Sequence, residues 1–379
     1  MHRRSFLQLG VGATLGSRVL RAVGQAPSNC VPQSITFPTP PAFSVIPVVG
    51  DGKWIWNQPP EGQTGYLEPR AYRVRIGVDL EGNGSVGDVL ATTVVPVECP
   101  EQKLEEERIE ASGCRAEVRQ LSPTARQLVV YAPEMEKGQK VSAAVTFKAT
   151  ISKQFLGYER SQFPEKQSVA ADVRRQYLGD SPGIETHSPQ VKSLAKELNA
   201  GEKHPWDLAQ RFAEWIPKHI RPQQGPYTNV VTALEKRVGD CEEMSAVFVA
   251  LCRAVGIPAR LVWIPNHNWA EFHLADTDGQ GHWIPAHTAC YSWFGWVGAH
   301  ELILQKGDRV ATPEKRAHQR LLADWMQWSG ARPNVRYRAE LTPEPAATGD
   351  DPGPGARRKL ETGEWKVTGD HPADKYIRR

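Results

Sequence analysis

The sequence lacks a long hydrophobic run, a large excess of charge of one sign and an internal repeat. No apolar stretch reaches the roughly 18–20 residues of a transmembrane helix, so we expect no membrane span. The 46 basic and 43 acidic residues leave a net charge of +3. Because no stripe of Lys and Arg is interleaved with aromatic residues, we expect no nucleic-acid partner. Because the sequence has no repeating period, coiled-coil, collagen and solenoid folds are excluded.

Cysteine is also sparse, with six residues in a chain of 379. Cysteines spread this thinly along the chain exclude a small scaffold held together by disulfides. Cys99 and Cys114 are close in the sequence, but spacing alone does not decide whether they bridge, because the Cα separation does. Hydrophobic residues make up 40% and charged residues 23%, which is ordinary for a globular protein. The length predicts two or three domains.

The first residues, 1–26, resemble a bacterial export signal of the Tat type. A twin-arginine pattern at Arg3-Arg4-Ser5-Phe6-Leu7 precedes a weakly apolar stretch, and small residues follow at Gly24-Gln25-Ala26. The alternative is a basic, frayed terminus. We therefore expect an exported protein, located in the periplasm or outside the cell.

The next two segments differ in their patterning. Residues 27–65 are rich in Pro, Gly and Gln and predict an irregular lead-in. Residues 66–155 predict a β-rich domain, because apolar residues alternate with polar ones along 72–78 and 141–151. An antiparallel sandwich is the simplest arrangement for such strands. The densely charged stretch 101–113 is expected to be a solvated insertion.

From residue 182 onwards the apolar period becomes helical, and we assign a second domain to residues 182–335. Helices are predicted after Ser188, which is an N-cap followed by Pro, from Pro205 towards His219, and from Asn229 to Arg237. Residues 340–379 are polar and rich in Pro and Gly, so they predict a disordered tail.

A fourth predicted helix begins at Cys241. Asp240 and Glu243 have the spacing of a capping box, which makes Cys241 the first helical residue. The electropositive N-terminus of a helix lowers the pKa of a thiol. Glu242 and Glu243 oppose this effect in part, so a cationic neighbour is needed. Cys252 lies mid-helix on the apolar side and is expected to be a core residue.

A strand at 260–264 and a hairpin follow this helix. The hairpin pairs 267–274 with 282–287 around a turn that contains Asp-Gly. If the turn is centred near residue 277, His267 lies opposite His287. The segment is crowded with tryptophan, which predicts either a Trp-rich core or a substrate groove: Trp263, Trp269, Trp283, Trp293 and Trp296.

These motifs together resemble the core of the transglutaminase-like superfamily, whose members are thiol enzymes related in architecture to papain-type proteases. The matching pieces span about 182–290 and are Gly-Asp-Cys at 239–241, Arg-Ala-Val-Gly-Ile-Pro-Ala-Arg at 253–260, His-Asn-Trp-Ala-Glu at 267–271 and Trp-Ile-Pro at 283–285. The resemblance implies an α+β fold in which the cysteine helix packs on an antiparallel sheet, preceded by the β-sandwich-like domain.

Carried over to this sequence, the resemblance implies Cys241 as the nucleophile and His267 as its general base. The family's third residue is an Asp after the Trp-x-Pro stretch, but here that position is His287. A neutral His287 can accept a hydrogen bond from His267, although it supplies no negative charge. Glu271 shares the strand face of His267 but lies about 13 Å along the strand, too far to orient the ring.

Gln223 and Gln224 are candidate side-chain donors to an oxyanion.

The expected function is that of an exported thiol enzyme that hydrolyses or transfers a peptide or isopeptide amide, with hydrolysis favoured. Its partner is a protein or peptide substrate, and no cofactor is expected. Two alternatives stay open. The first is a metal site made of Cys241, His267 and His287. The second is a catalytically degenerate module that binds a partner in the cell envelope.

Overall fold

The computed structural model describes residues 62–223, 225–265, 267–289 and 293–344, together with the backbone of two short strands, β18 (Arg357–Lys359) and β19 (Trp365–Val367). The predicted export signal, most of the predicted lead-in 27–65 and most of the predicted tail 340–379 lie outside the described residues. No helix in the described part has the length and hydrophobicity of a membrane span.

Six long strands come first in the described residues, and the alternating patterns at 72–78 and 141–151 lie in the first and the last of them. They are β1 (Gly65–Glu81), β2 (Val86–Val95), β3 (Gln102–Ser112), β4 (Arg115–Ser122), β5 (Ala125–Met135) and β6 (Lys140–Phe155). The alternating apolar residues of β6 are all buried, from Val141 to Ile151. The interpretation of 101–113 as an insertion is wrong, because this segment forms β3 and pairs with β6. Its side chains are mostly exposed, which explains their charge.

The middle of the chain is helical. A single 3-10 turn, Arg160–Gln162, precedes five helices and two short strands. In chain order these are α1 (Ala171–Tyr177), α2 (Pro189–Asn199), α3 (Pro205–His219), β7 (Arg221–Pro222), α4 (Val230–Lys236), β8 (Val238–Gly239) and α5 (Cys241–Ala254). The predicted cap at Ser188 is confirmed, since its side chain accepts a backbone N–H group at the start of α2. The Asn229 side chain caps α4 in the same way.

Besides β18 and β19, nine strands follow α5 in the described residues. They are β9 (Ala259–Ile264), β10 (His267–Ala275), β11 (Gly281–Ala286), β12 (Trp296–Val297), β13 (Gln305–Lys306), β14 (Val310–Thr312), β15 (Lys315–Gln319), β16 (Trp325–Gly330) and β17 (Asn334–Pro343). β14 and β15 form a separate hairpin. β17 pairs with β1, and β16 pairs with β2, so strands from both ends of the described chain complete the same sheets.

Two large sheets result from these pairings. The five-stranded sheet has the order β12-β6-β1-β17, with β3 also on β6, and the eight-stranded sheet has the order β11-β10-β9-β13-β5-β2-β16, with β4 on β5. The two sheets pack face to face around a core that includes Ile76, Phe147, Leu128 and Val130. At its other end, the eight-stranded sheet carries α5, which packs against β9 and β10. The predicted α+β fold, with a cysteine helix on an antiparallel sheet, is confirmed.

Candidate active site

Cys241 begins α5 behind the predicted capping box, which is confirmed. The Asp240 carboxylate accepts the Glu242 N–H at 2.8 Å, and Glu243 Oε2 accepts the Asp240 N–H at 3.1 Å. These contacts fix the point at which the helix starts and therefore the position of the thiol. Cys241 is 4% exposed.

The charges around this helix end are mostly negative and buried. Burial raises the pKa of Glu242 to about 7, although Arg320 opposes the shift. Burial and the neighbouring Glu243 raise the pKa of Asp240 to about 8. The Arg320 Nη2 donates to Glu242 Oε2 at 2.6 Å, so Arg320 offsets the charge of one of the two glutamates that follow Cys241. No local pattern indicated this pair, since its members are 78 residues apart.

The loop before α5 is fixed by a short parallel pairing. β7 pairs with β8, and the Gln223 N–H donates to the Gly239 carbonyl at 2.9 Å. Gln223 is thus held beside the residues that lead into Cys241, and its Oε1 accepts a hydrogen bond from Arg221 at 2.9 Å. Gln224, the second candidate donor, lies outside the described residues.

Connectivity brings the start of β10 level with the start of α5. The helix has 14 residues, or about 21 Å, and ends in a tight reversal before β9. The six residues of β9 cover about 20 Å in the return direction, along the helix that they pack against. β9 ends at Ile264, which pairs with His267. Cys241 and His267 therefore lie at the same end of this helix–sheet unit.

The predicted hairpin is present, but its predicted register is wrong. The observed partners Ala270–Ala286 and Ala275–Gly281 centre the turn on residue 278. The reason is local, because the Asp276 carboxylate accepts the N–H groups of Asp278 and Gln280 and closes a five-residue turn. His287 is consequently level with Trp269 and not opposite His267.

The two-residue shift keeps both histidines on one face of the sheet. Their ring centres are 5.7 Å apart. The His287 ring stacks on Trp269 at 4.9 Å and meets the edge of Trp293 at 5.0 Å. These contacts hold the His287 ring by packing. The Trp-rich core that was one of the two predicted roles is therefore observed for Trp269 and Trp293.

Both histidines are buried and neutral at physiological pH. Burial lowers the pKa of His267 to about 3. Burial and the neighbouring His267 also lower the pKa of His287. Within the described part of the chain, neither ring nitrogen of His267 has a hydrogen-bond partner. His267 is thus in the form that accepts a proton.

Glu271, on the same strand, belongs to a separate ionic cluster. Its Oε2 accepts hydrogen bonds from Arg260, and its Oε1 accepts one from Lys306 Nζ at 2.7 Å. Lys306 also donates to Glu101 at 2.6 Å. Burial would raise the pKa of Glu271, but the two cations outweigh it and lower that pKa. Both carboxylate oxygens of Glu271 are therefore bonded within this cluster.

The remaining cysteines differ from Cys241 in position. Cys252 is fully buried within α5, and burial raises its pKa. Cys99 and Cys114 are both unbridged. The described residues contain no group of three or more His, Cys, Asp or Glu side chains that could hold a metal ion. The alternative metal site of Cys241, His267 and His287 therefore gains no support from the geometry.

Comparison with known proteins places this site in a family context. Residues 192–288 match the model of the transglutaminase-like superfamily. The human peptide-N(4)-(N-acetyl-beta-glucosaminyl)asparagine amidase is 33% identical over 96 residues, which are 25% of this chain and 12% of that protein. The rat protein of the same name is 24% identical over 206 residues, or 54% of this chain and 28% of its own length.

A solved structure from Cytophaga hutchinsonii, described as a candidate cysteine protease, shares the fold. It is 14% identical and superposes with a TM-score of 0.50, covering 76% of this chain and 96% of its own. The chain spans less than a third of the two amidases, so their names describe much longer proteins. The family match and the shared fold agree with the motifs around Cys241. Residues 192–288 form a transglutaminase-like domain.

Proposed function

We propose that this protein is a thiol enzyme that cleaves or transfers an amide through a thioester at Cys241, with His267 as the general base. The observation that carries the proposal is the position of Cys241. It is the first residue of a capped helix in a transglutaminase-like domain, at the end where β10 begins with His267.

The chemistry follows from the states of the two side chains. Neutral His267 takes the proton of the Cys241 thiol, and the sulfur attacks the carbonyl carbon of the amide. A carbon–sulfur bond forms while the carbonyl electron pair moves to oxygen. When the intermediate collapses, the carbon–nitrogen bond breaks, and the leaving amine takes the proton from His267. Water then releases the acid, or a second amine forms a new amide.

The relatives support an amide in a peptide or protein as the substrate. The two amidases are named for action on a substituted asparagine side chain, and the Cytophaga protein is described as a candidate protease. These three descriptions share an amide carbonyl as the point of attack. We favour hydrolysis over transfer, because all of the descriptions are of cleavage.

The test is to follow the release of amines and ammonia from a mixture of peptides, with hydroxylamine added to trap the thioester. We expect wild type and Cys252→Ser to release product and to give a trapped acyl group, whereas Cys241→Ser gives neither. Activity that survives Cys241→Ser would overturn the proposal. Inactivity of all three proteins, with no acyl group on Cys241, would favour the alternative of a binding module.

We also propose that the protein is exported through the twin-arginine route. The support is the pattern at Arg3 and Arg4, which precedes the described residues. Replacing both residues with Lys should leave the precursor in the cytoplasm, as measured by cell fractionation. Unchanged export of that variant would reject the route.

A further inference from the structure

Arg320 connects the sheet of the active site to the first turn of the cysteine helix. Its guanidinium Nη2 donates to Glu242 Oε2 at 2.6 Å, and Glu242 is the residue that follows Cys241 in α5. Its guanidinium carbon is 5.8 Å from the centre of the Trp263 ring. Trp263 is the next-to-last residue of β9, the strand that pairs with the His267 end of β10. One side chain therefore contacts both segments that carry the proposed catalytic pair.

The backbone at Arg320 is fixed to the same sheet. Gln305, in β13, donates from its Nε2 to the Arg320 carbonyl at 2.8 Å, and its Oε1 accepts the Leu322 N–H at 3.0 Å. Gln305 is also the cross-strand partner of Trp263. Because the chain at Arg320 is held by a residue of the sheet, the sheet sets the point from which the guanidinium reaches the helix.

An aromatic ring and a glycine hold the guanidinium in place. Its carbon lies 3.1 Å from the centre of the Tyr227 ring, and the Tyr227 hydroxyl donates to the Gly183 carbonyl at 2.6 Å. A Cβ at Gly183 would lie 2.6 Å from Tyr227 Cε1 and 3.1 Å from Arg320 Nη1, so only glycine fits here. The side chains of Arg320 and Glu242 are 16% and 4% exposed. Their ion pair is therefore largely withdrawn from water, where charges interact more strongly than at the surface.

Arg320 lies outside the residues that match the transglutaminase-like model, 192–288. It follows directly after β15, and Leu322, two residues later, packs in the core between the two large sheets. The start of the cysteine helix is thus braced by a residue from the later part of the chain, next to a segment that packs with the β-rich domain.

We propose that Arg320 is a positioning residue that holds the Cys241 end of α5 in place relative to His267; this rests on the function proposed above. The reaction needs the thiol and the imidazole within hydrogen-bond reach, and a misplacement of about 1 Å can slow such a reaction by about 100-fold. Arg320 resists that shift, because it is bonded to the helix through Glu242 and to the sheet through its own carbonyl.

The experiment measures the rate at which iodoacetamide alkylates Cys241 at pH 7, mapped by mass spectrometry, together with unfolding in urea. The variants are Arg320→Met, His267→Phe and the double variant. Arg119→Met is the matched control, because Arg119 has a 22% exposed side chain that pairs with a buried carboxylate, that of Glu314. Arg119 lies in β4, on the sandwich, so its loss should affect stability and not the thiol.

We expect Arg320→Met and Arg119→Met each to lower the urea midpoint, because each leaves a buried carboxylate without its cation. Only Arg320→Met should also slow the alkylation of Cys241, by at least about tenfold, because a thiol without an aligned base is only a few per cent ionised at pH 7. The double variant should react no more slowly than His267→Phe, since an imidazole that is already misaligned does not assist the thiol.

Arg320→Lys separates positioning from folding. Lys keeps a positive charge beside Glu242 and so protects the fold, but its ammonium does not stack on the Tyr227 ring as a planar guanidinium does. We expect a urea midpoint near that of wild type and a slowing of alkylation that is smaller than in Arg320→Met. If Arg320→Met does not fold, this variant decides, and alkylation at the wild-type rate would overturn the assignment.

Two further results would contradict a positioning role. Equal slowing in Arg320→Met and Arg119→Met would mean that Arg320 serves only the stability of the fold. Slowing that multiplies in the double variant would mean that Arg320 affects the thiol independently of His267. If His267→Phe itself reacts at the wild-type rate, the proposed general base is refuted, and the role of Arg320 falls with it. The single variants therefore distinguish failure of this assignment from failure of the proposed function.

Discussion

Strand β10 carries two kinds of buried polar residue, and they differ in how completely they are bonded. Glu271, towards the middle of the strand, binds Arg260 and Lys306 with both carboxylate oxygens. His267 and Asn268, at the start of the strand, are as deeply buried but have no side-chain hydrogen-bond partner in the described residues. Unpaired buried groups destabilise a fold, whereas paired ones hold it. The difference separates a structural cluster from a reactive one.

The first test of this comparison is at His267. We expect His267→Ala to lower kcat/KM by about 10²–10⁴-fold, the usual contribution of a general base. Stability should change little, because no hydrogen bond is lost in the folded protein. Amide turnover and urea unfolding measured on the same preparation check both parts. Turnover close to wild type would remove His267 from the reaction.

The opposite result is expected at Glu271. Glu271→Gln leaves Lys306 and Arg260 without their shared buried anion, so the free energy of unfolding should fall by about 3–5 kcal/mol. Glu105→Gln is the control, because Glu105 pairs with Lys103 at the surface, where single ion pairs contribute little. Urea unfolding of the three proteins gives the comparison. A loss at Glu271 no larger than at Glu105 would contradict a structural cluster.

His287 tests whether packing can replace the family's carboxylate. His287→Ala should lower kcat/KM by about 10–1000-fold, because His267 loses a neighbour that can orient it. His287→Asp should retain more activity, since a carboxylate also stabilises the imidazolium. If His287→Ala turns over like wild type, His287 serves only the core of Trp269 and Trp293.

The smallest expected effect is on the pH dependence of stability. The folded-state pKa of His267, about 3, is below its ordinary value of 6.5. Between these values the unfolded chain binds a proton that the folded chain does not. Stability is therefore lost as the pH falls below 6.5, by about 2 kcal/mol at pH 5 for this residue.

His267→Phe removes this contribution and serves as the variant. Asp240 and Glu242, with raised pKa values, act in the opposite direction in both proteins. The difference between wild type and variant, measured by urea unfolding at pH 7 and pH 5, isolates the histidine. Parallel losses in the two proteins would contradict a buried, neutral His267.

Sequence reasoning was accurate where a structure is decided by neighbouring residues. The cap at Asp240, the helix from Cys241 and the hairpin after His267 all depend on contacts within about ten residues. The register was wrong because the Asp276 side chain adds to the turn, which a two-residue turn signal does not show. A one-residue change in the centre of a turn moves every cross-strand partner by two.

The features that the sequence did not predict depend on contacts between distant parts of the chain. Arg320 meets Glu242 across 78 residues, and Lys306 meets Glu101 across 205. The pairing of β17 with β1 is similarly remote. Neither the periodicity of apolar residues nor a capping motif predicts such contacts. They result from the way the sheets pack, which the local sequence pattern does not specify.

The measurement that tests the central claim most directly is the rate at which each cysteine of the native protein reacts with iodoacetamide at neutral pH, mapped by mass spectrometry. The account predicts that Cys241 is modified first, well ahead of Cys252, because it is the first residue of a helix, whereas Cys252 is fully buried in the core. It also predicts slower modification of Cys241 in His267→Phe. Modification of Cys252 at least as fast as Cys241, or an unreactive Cys241 in the folded protein, would contradict the account.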